Sequence, residues 1–100
     1  MEYTHSQRLA LLQVLTLIMR ADEIIKPVEI EYLNRFIFDF NIQPDDITQA
    51  DMLSLEQCRI ILSQLTIVQK QQCIQLFEGM ANIDNDYDPR ERNIIEKLFK

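Results

Sequence analysis

Toward its carboxyl end the chain reads "NIDNDYDPRER", residues 82–92, which sets four carboxylates, Asp84, Asp86, Asp88 and Glu91, around one proline. Closely spaced oxygen donors suit hard cations: calcium takes six to eight oxygens, and magnesium takes six while keeping several waters. The spacing does not make an EF-hand. Counted from Asp84, the third and fifth positions are Asp86 and Asp88, but the sixth is Pro89 where that loop needs glycine, and the twelfth is Ile95 where it needs glutamate. The same residues also have ordinary local uses. Asp88 before Pro89 is a helix N-cap, Glu91 stands where a capping-box carboxylate bonds backbone amides, and Asp84 suits a turn.

The motif occurs twice. An offset of 62 residues places Asp22 on Asp84, Ile25 on Tyr87, Pro27 on Pro89, Glu29 on Glu91, Leu33 on Ile95 and Ile37 on Phe99. Both copies read D-x-x-[IY]-x-P-x-E: an aspartate closing one helix, an apolar residue plugging the turn, and a glutamate in the first turn of the next helix. Each copy, Asp22 with Glu29 and Asp84 with Glu91, brings two carboxylates close together beside a helix amino terminus, as turn and cap residues or, where Asp86 and Asp88 join them in the second copy, as a cation-binding loop. Residue types alone leave both readings open.

Other chemistry finds little support. The single histidine, His5, has no acid or nucleophile beside it in the sequence, and the chain is read as non-enzymatic. Cys58 and Cys73 lack metal-site or redox spacing and read as buried thiols. Gly79 is the sole glycine, which excludes a P-loop or dinucleotide fingerprint. Ten basic against sixteen acidic residues give a net charge of −6, which repels phosphate backbones, so no nucleic-acid partner is expected.

The elements that position these residues are helical. One hundred residues, 47% apolar and 26% charged, describe one globular domain spanning 1–100. No glycine-bearing hairpin turn is present, and capping boxes fall at Thr4 with Gln7, Ser54 with Gln57 and Thr66 with Gln69. Pro27 and Pro89 suit first helical positions, where the missing amide hydrogen costs nothing. The spacing predicts helices over 5–22, 27–40, 54–65, 67–81 and 89–100, with a short helical turn from Pro44: an all-α compact bundle of five or more short helices. Its internal pseudo-repeat predicts equivalent helix-turn-helix corners at 22–33 and 84–95.

The first helix is apolar on most of its circumference, leaving Gln13, Thr16 and Arg20 as a narrow polar stripe, so it is either central or part of an interface. Its apolar run, Leu9 to Met19, is too short to cross a bilayer and has no basic region before it, so a cytoplasmic protein with no membrane partner is expected. In the second helix Ile30, Leu33, Phe36, Ile37 and Phe40 share a face, and Phe38 projects away from it. Phe38 is the candidate partner contact, unless the 41–53 segment folds over it. A homodimer or a stable protein partner follows if five short helices leave part of the first helix, or the Phe36 to Phe40 segment, uncovered.

The two segments "ADEIIKPVE" (21–29) and "IDNDYDPRE" (83–91), with "LSQLTIVQKQQCIQLFEGMANID" between, resemble the TerB-like domains associated with tellurite resistance, which are also appended to some membrane-anchored J-domain co-chaperones. That family's signature is A-D-G-x-[IV] followed four residues later by Glu, twice per all-helical domain. Both copies here match at the aspartate, the apolar position and the glutamate, and depart at the glycine, replaced by Glu23 and Asn85. The resemblance implies a non-enzymatic accessory or binding domain linked to stress responses, with Asp22, Glu29, Asp84 and Glu91 meeting calcium or magnesium. The alternative is a helical protein-interaction module without an ion, using apolar surface on the first two helices.

Overall fold

The computed structural model describes residues 3–21, 25–83 and 89–99, the side chain of Glu91 excepted. It is all-helical: α1 (His5–Arg20), α2 (Pro27–Asp39), α3 (Pro44–Asp51), α4 (Leu55–Leu62), α5 (Ile67–Asn82) and α6 (Pro89–Phe99), with no strand among the described residues. None of these helices is long and apolar enough to cross a membrane.

The caps act as the sequence implies. Gln7, Ser54 and Thr66 belong to complete capping boxes: Thr4, Ser54 and Thr66 hydroxyls accept from the amides of Gln7, Gln57 and Gln69, whose side chains accept in return. Pro27, Pro44 and Pro89 each start a helix. The turn of helix expected at Pro44 is a full eight residues. Conversely, α4 stops earlier than expected, because residues 63–66 must form the bend that carries the next N-cap, Thr66, and that buries Leu65.

Packing centres on α1, which touches all five other helices. Leu11, Val14, Leu15 and Ile18 are fully buried, and Leu9, Leu12 and Met19 are nearly so. The surrounding core is Phe36, Cys58, Leu62, Cys73, Phe77, Met80, Ile95 and Leu98. A helix apolar on nearly every side is thus largely enclosed by its own chain, with Thr16 and Leu17 only partly covered. Even the polar stripe is used. Gln13 is buried and its amide donates to the Leu53 carbonyl at 2.9 Å and to that of Asp51 at 3.5 Å, satisfying the carbonyls where α3 ends.

The pseudo-repeat is wider than the two acidic motifs. At the same offset of 62, α1 and α5 begin and end in register, their N-caps Thr4 and Thr66 coincide, and Pro27 and Pro89 open α2 and α6. Core positions correspond as well: Leu15 with Phe77, Ile18 with Met80, Phe36 with Leu98. The chain is thus two helical hairpins, α1–α2 and α5–α6, joined by α3 and α4. The turns of both corners lie partly outside the described residues.

The two hairpins meet where Tyr32 of α2 reaches α5 and donates its hydroxyl to the Leu76 carbonyl at 2.7 Å. This contact explains the one glycine. A side-chain carbon on Gly79 would collide with the Tyr32 hydroxyl, so the glycine allows the close approach despite its poor helix propensity. We expect Gly79→Ala to lower stability by about 1 kcal/mol, because displacing Tyr32 costs a hydrogen bond and outweighs the helix gain. The loss should shrink in a Tyr32→Phe background, as read by a double-mutant cycle in urea.

Candidate functional site

Of the residues proposed to meet a cation, the described structure places one. Asp22, Asp84, Asp86 and Asp88 lie outside the described residues, as does the side chain of Glu91. Glu29 is only 2% exposed, and its carboxylate accepts the Lys26 amide at 3.0 Å, reaching back from the first turn of α2. That is the capping role the sequence offered as the plain alternative, and it places the carboxylate at the positive end of the helix dipole. No cluster of three or more metal-ligating side chains occurs among the described residues.

Phe38 is 84% exposed. The expectation that 41–53 might cover it is not met, and the reason is the way α2 ends. Asn41 takes a left-handed conformation (φ 53°), the Asn41 amide donates to the Phe38 carbonyl at 3.2 Å, and the Ile42 amide donates to the Ile37 carbonyl at 2.9 Å. This Schellman closure turns Ile42 inward and sends α3 onto α1, leaving Phe38 on the outside. The other apolar residues of the Phe36 to Phe40 segment are at least partly covered: Phe36 is buried, Ile37 is partly so, and Phe40 stacks on Phe36 at 4.3 Å with Tyr3 tilted beyond at 5.9 Å. Ile30, expected on the core face, is instead 44% exposed at the flank of α2.

That flank borders an open cleft of about 370 Å³. Its floor is the Leu12, Thr16 and Met19 side of α1, with Leu33 of α2 on one wall and Ile47 and Ala50 of α3 on the other. Ile30 lies one helical turn before Leu33, and Ile47 is itself 44% exposed, so both rims are apolar. At one end Arg20 and Asp51, both largely solvated, stand 4.0 Å apart. Sequence reasoning missed this cleft. It depends on α2 and α3 diverging after the Asn41 turn while both rest on α1.

A second feature was also hidden. His5 Nε2 lies 2.8 Å from Asp46 Oδ1, although 41 residues separate them. Asp46 is the N3 residue of α3, and its other oxygen accepts the Gln43 amide at 3.0 Å. The hydrogen bond from His5, then the one from the Gln43 amide, holds the Asp46 carboxyl below its usual range. Among the described residues no hydroxyl or thiol is hydrogen-bonded to the pair, which ties the start of α3 to the start of α1. The thiols are equally quiet: Cys58 and Cys73 are unbridged and buried, and burial pushes both up to about 11. Tyr3 is raised further, by burial and then by Cys73 beside it.

No family model, curated protein or solved structure matches this chain.

The clamp has a pH signature. A carboxylate depressed in the folded state contributes stability in full above its ordinary value, about 4, and loses it as pH falls through the lower folded value. Asp46→Asn should therefore lower the melting temperature at pH 7 and make the loss of stability below pH 4 shallower than in the wild type, as followed by circular dichroism.

Proposed function

We propose that the chain is a non-enzymatic helical binding domain of TerB-like type, and that its ligand is a basic, amphipathic helix of a protein partner seated in the α1–α2–α3 cleft. The observation that carries this reading is the open cleft itself, with Leu12 and Met19 in its floor and the apolar Ile30, Leu33 and Ile47 along its two rims. A helix presenting apolar residues at i, i+3 and i+4 is the usual occupant of such a groove. Charge favours the basic kind: Glu31, Asp45 and Asp51 are exposed on the two flanking helices against the single Arg20 in the cleft, which stands beside Asp51, and the chain as a whole carries −6. Phe38, on the opposite side of α2 from its core face, is a further anchor for a larger partner. A cytoplasmic setting belongs to the proposal, supported by the use of two cysteines as small core residues.

The TerB-like part rests on the duplicated motif and on the register of the helices around it. It brings a second reading, a weakly held calcium or magnesium ion at the paired acidic turns. Its support is the duplicated acidic motif alone, since the Glu29 carboxylate at one copy bonds the Lys26 amide.

The first reading is tested with synthetic helical probes in NMR titrations of the labelled full chain. A leucine-faced helix flanked by lysines should give saturable shifts at Thr16, Leu33, Ile47 and Thr48, and its glutamate-flanked twin should not. Ile47→Asp should abolish the shifts without unfolding the domain. Equal response to both probes, or shifts elsewhere, would sink the proposal.

The ion reading makes a separate demand. Several millimolar calcium or magnesium should raise the wild-type melting temperature, since a ligand bound only by the native state stabilises it. Asp84→Asn should remove that rise; an unmoved wild-type curve leaves the acidic residues as caps.

A further inference from the structure

On the side of the molecule built by α4, α5 and α6, the sign of the charge reverses. A hollow of about 360 Å³ is lined by Arg59 and Ser63 of α4 and its end, Lys70 and Ile74 of α5, and Leu98 and Phe99 of α6. Among the described residues no carboxylate lines it, unlike the α1–α2–α3 cleft, which carries Asp51, and the neighbouring α4–α6 groove, which carries Glu56 and Glu96. In a chain with six more acids than bases, two cations facing one apolar hollow run against the composition.

The fold engages one of these cations along one edge and leaves the other without a partner among the described residues. Lys70, a partly buried residue, has no hydrogen-bond or ion-pair partner among the described residues. Arg59 is held from outside by Glu56, which takes its Nε at 3.0 Å and its Nη2. This fixes the plane of the guanidinium and leaves Nη1 without a partner. The Ser63 hydroxyl donates to the Ile60 carbonyl at 2.6 Å, so toward a ligand it offers a lone pair. Below these groups the wall is rigid and apolar: Leu98 is buried, and Phe99 is backed by Phe77, whose ring lies 6.2 Å from it.

We propose that this hollow binds a small organic monoanion, a carboxylate on a short alkyl chain, with the carboxylate between Lys70 and Arg59 and the alkyl chain against Ile74, Leu98 and Phe99. Charge-assisted hydrogen bonds to a pre-oriented guanidinium and an ammonium supply the selectivity for the anion. Burying the tail against Leu98 and Phe99 supplies the preference for an alkyl chain over a bare anion. The site lies on the other hairpin from the proposed helix-binding cleft and does not depend on it.

Sodium octanoate, sodium acetate and octylamine, titrated separately into the labelled full chain and followed by NMR, test the assignment. Octanoate should give saturable shifts at Ser63, Lys70, Ile74 and Phe99, while acetate and octylamine should not. Lys70→Gln should weaken octanoate about tenfold or more, as expected for losing one charge-assisted hydrogen bond, and Lys70→Arg should retain most of it. The two variants should melt within a few degrees of the wild type, since Lys70 has no partner to lose among the described residues. Octylamine acting as strongly as octanoate would make the hollow merely apolar and overturn the proposal. So would an octanoate affinity unchanged in Lys70→Gln, or the absence of saturable shifts with octanoate.

Discussion

The constraint on which the rest of this structure depends is the burial of α1. A sixteen-residue helix with apolar groups on nearly every side cannot sit at the edge of a domain without exposing a large hydrophobic surface, so the other five helices are arranged to surround it. At this length the chain has little spare core, and α1 supplies much of it. One polar side chain is enclosed with it. Gln13 is tolerated because its amide is spent on carbonyls that the end of α3 would otherwise leave unpaired.

Surrounding α1 with so short a chain has consequences at the surface. Two helices must approach closely, and at the α2–α5 crossing this is achieved by Gly79 beneath Tyr32. Others are only eight residues long and must be clamped at their ends: α3 by Asp46 to His5, α4 by its Ser54 box. Because α2 and α3 separate after the Asn41 turn, the floor of α1 between them is reached by solvent through the α1–α2–α3 cleft. The hollow beside Lys70 arises in the same way on the other hairpin, where α4 and α5 leave the last turn of α6 partly open. Both candidate binding places are therefore gaps in a shell of short helices, and they differ chiefly in the charge around them.

The duplicated acidic motif gains a structural meaning from the register of the helices. Two sixteen-residue helices with identical capping boxes, each followed by a proline-initiated helix, make Glu29 and Glu91 equivalent first-turn positions. Glu29 bonds the amide of Lys26 and is almost inaccessible, so at this copy the carboxylate is committed to the helix start whether or not an ion lies nearby.

Local chemistry was legible in the residue order. Caps at Thr4, Ser54 and Thr66 and prolines at first helical positions determined the helices and their approximate limits, because each depends on contacts within a few residues, and the all-round apolar character of Leu9 to Met19 required that α1 be covered, by its own chain or by another. Tertiary structure decided what depends on distant partners. That α1 is covered by its own chain, that His5 meets Asp46 across 41 residues, that Phe38 stays outside, and that Lys70 and Arg59 face a common hollow are all set by how the helices turn and pack. The Asn41 turn shows why. One residue in a left-handed conformation redirects the next helix as a rigid body, and no periodicity in the sequence records the direction it takes.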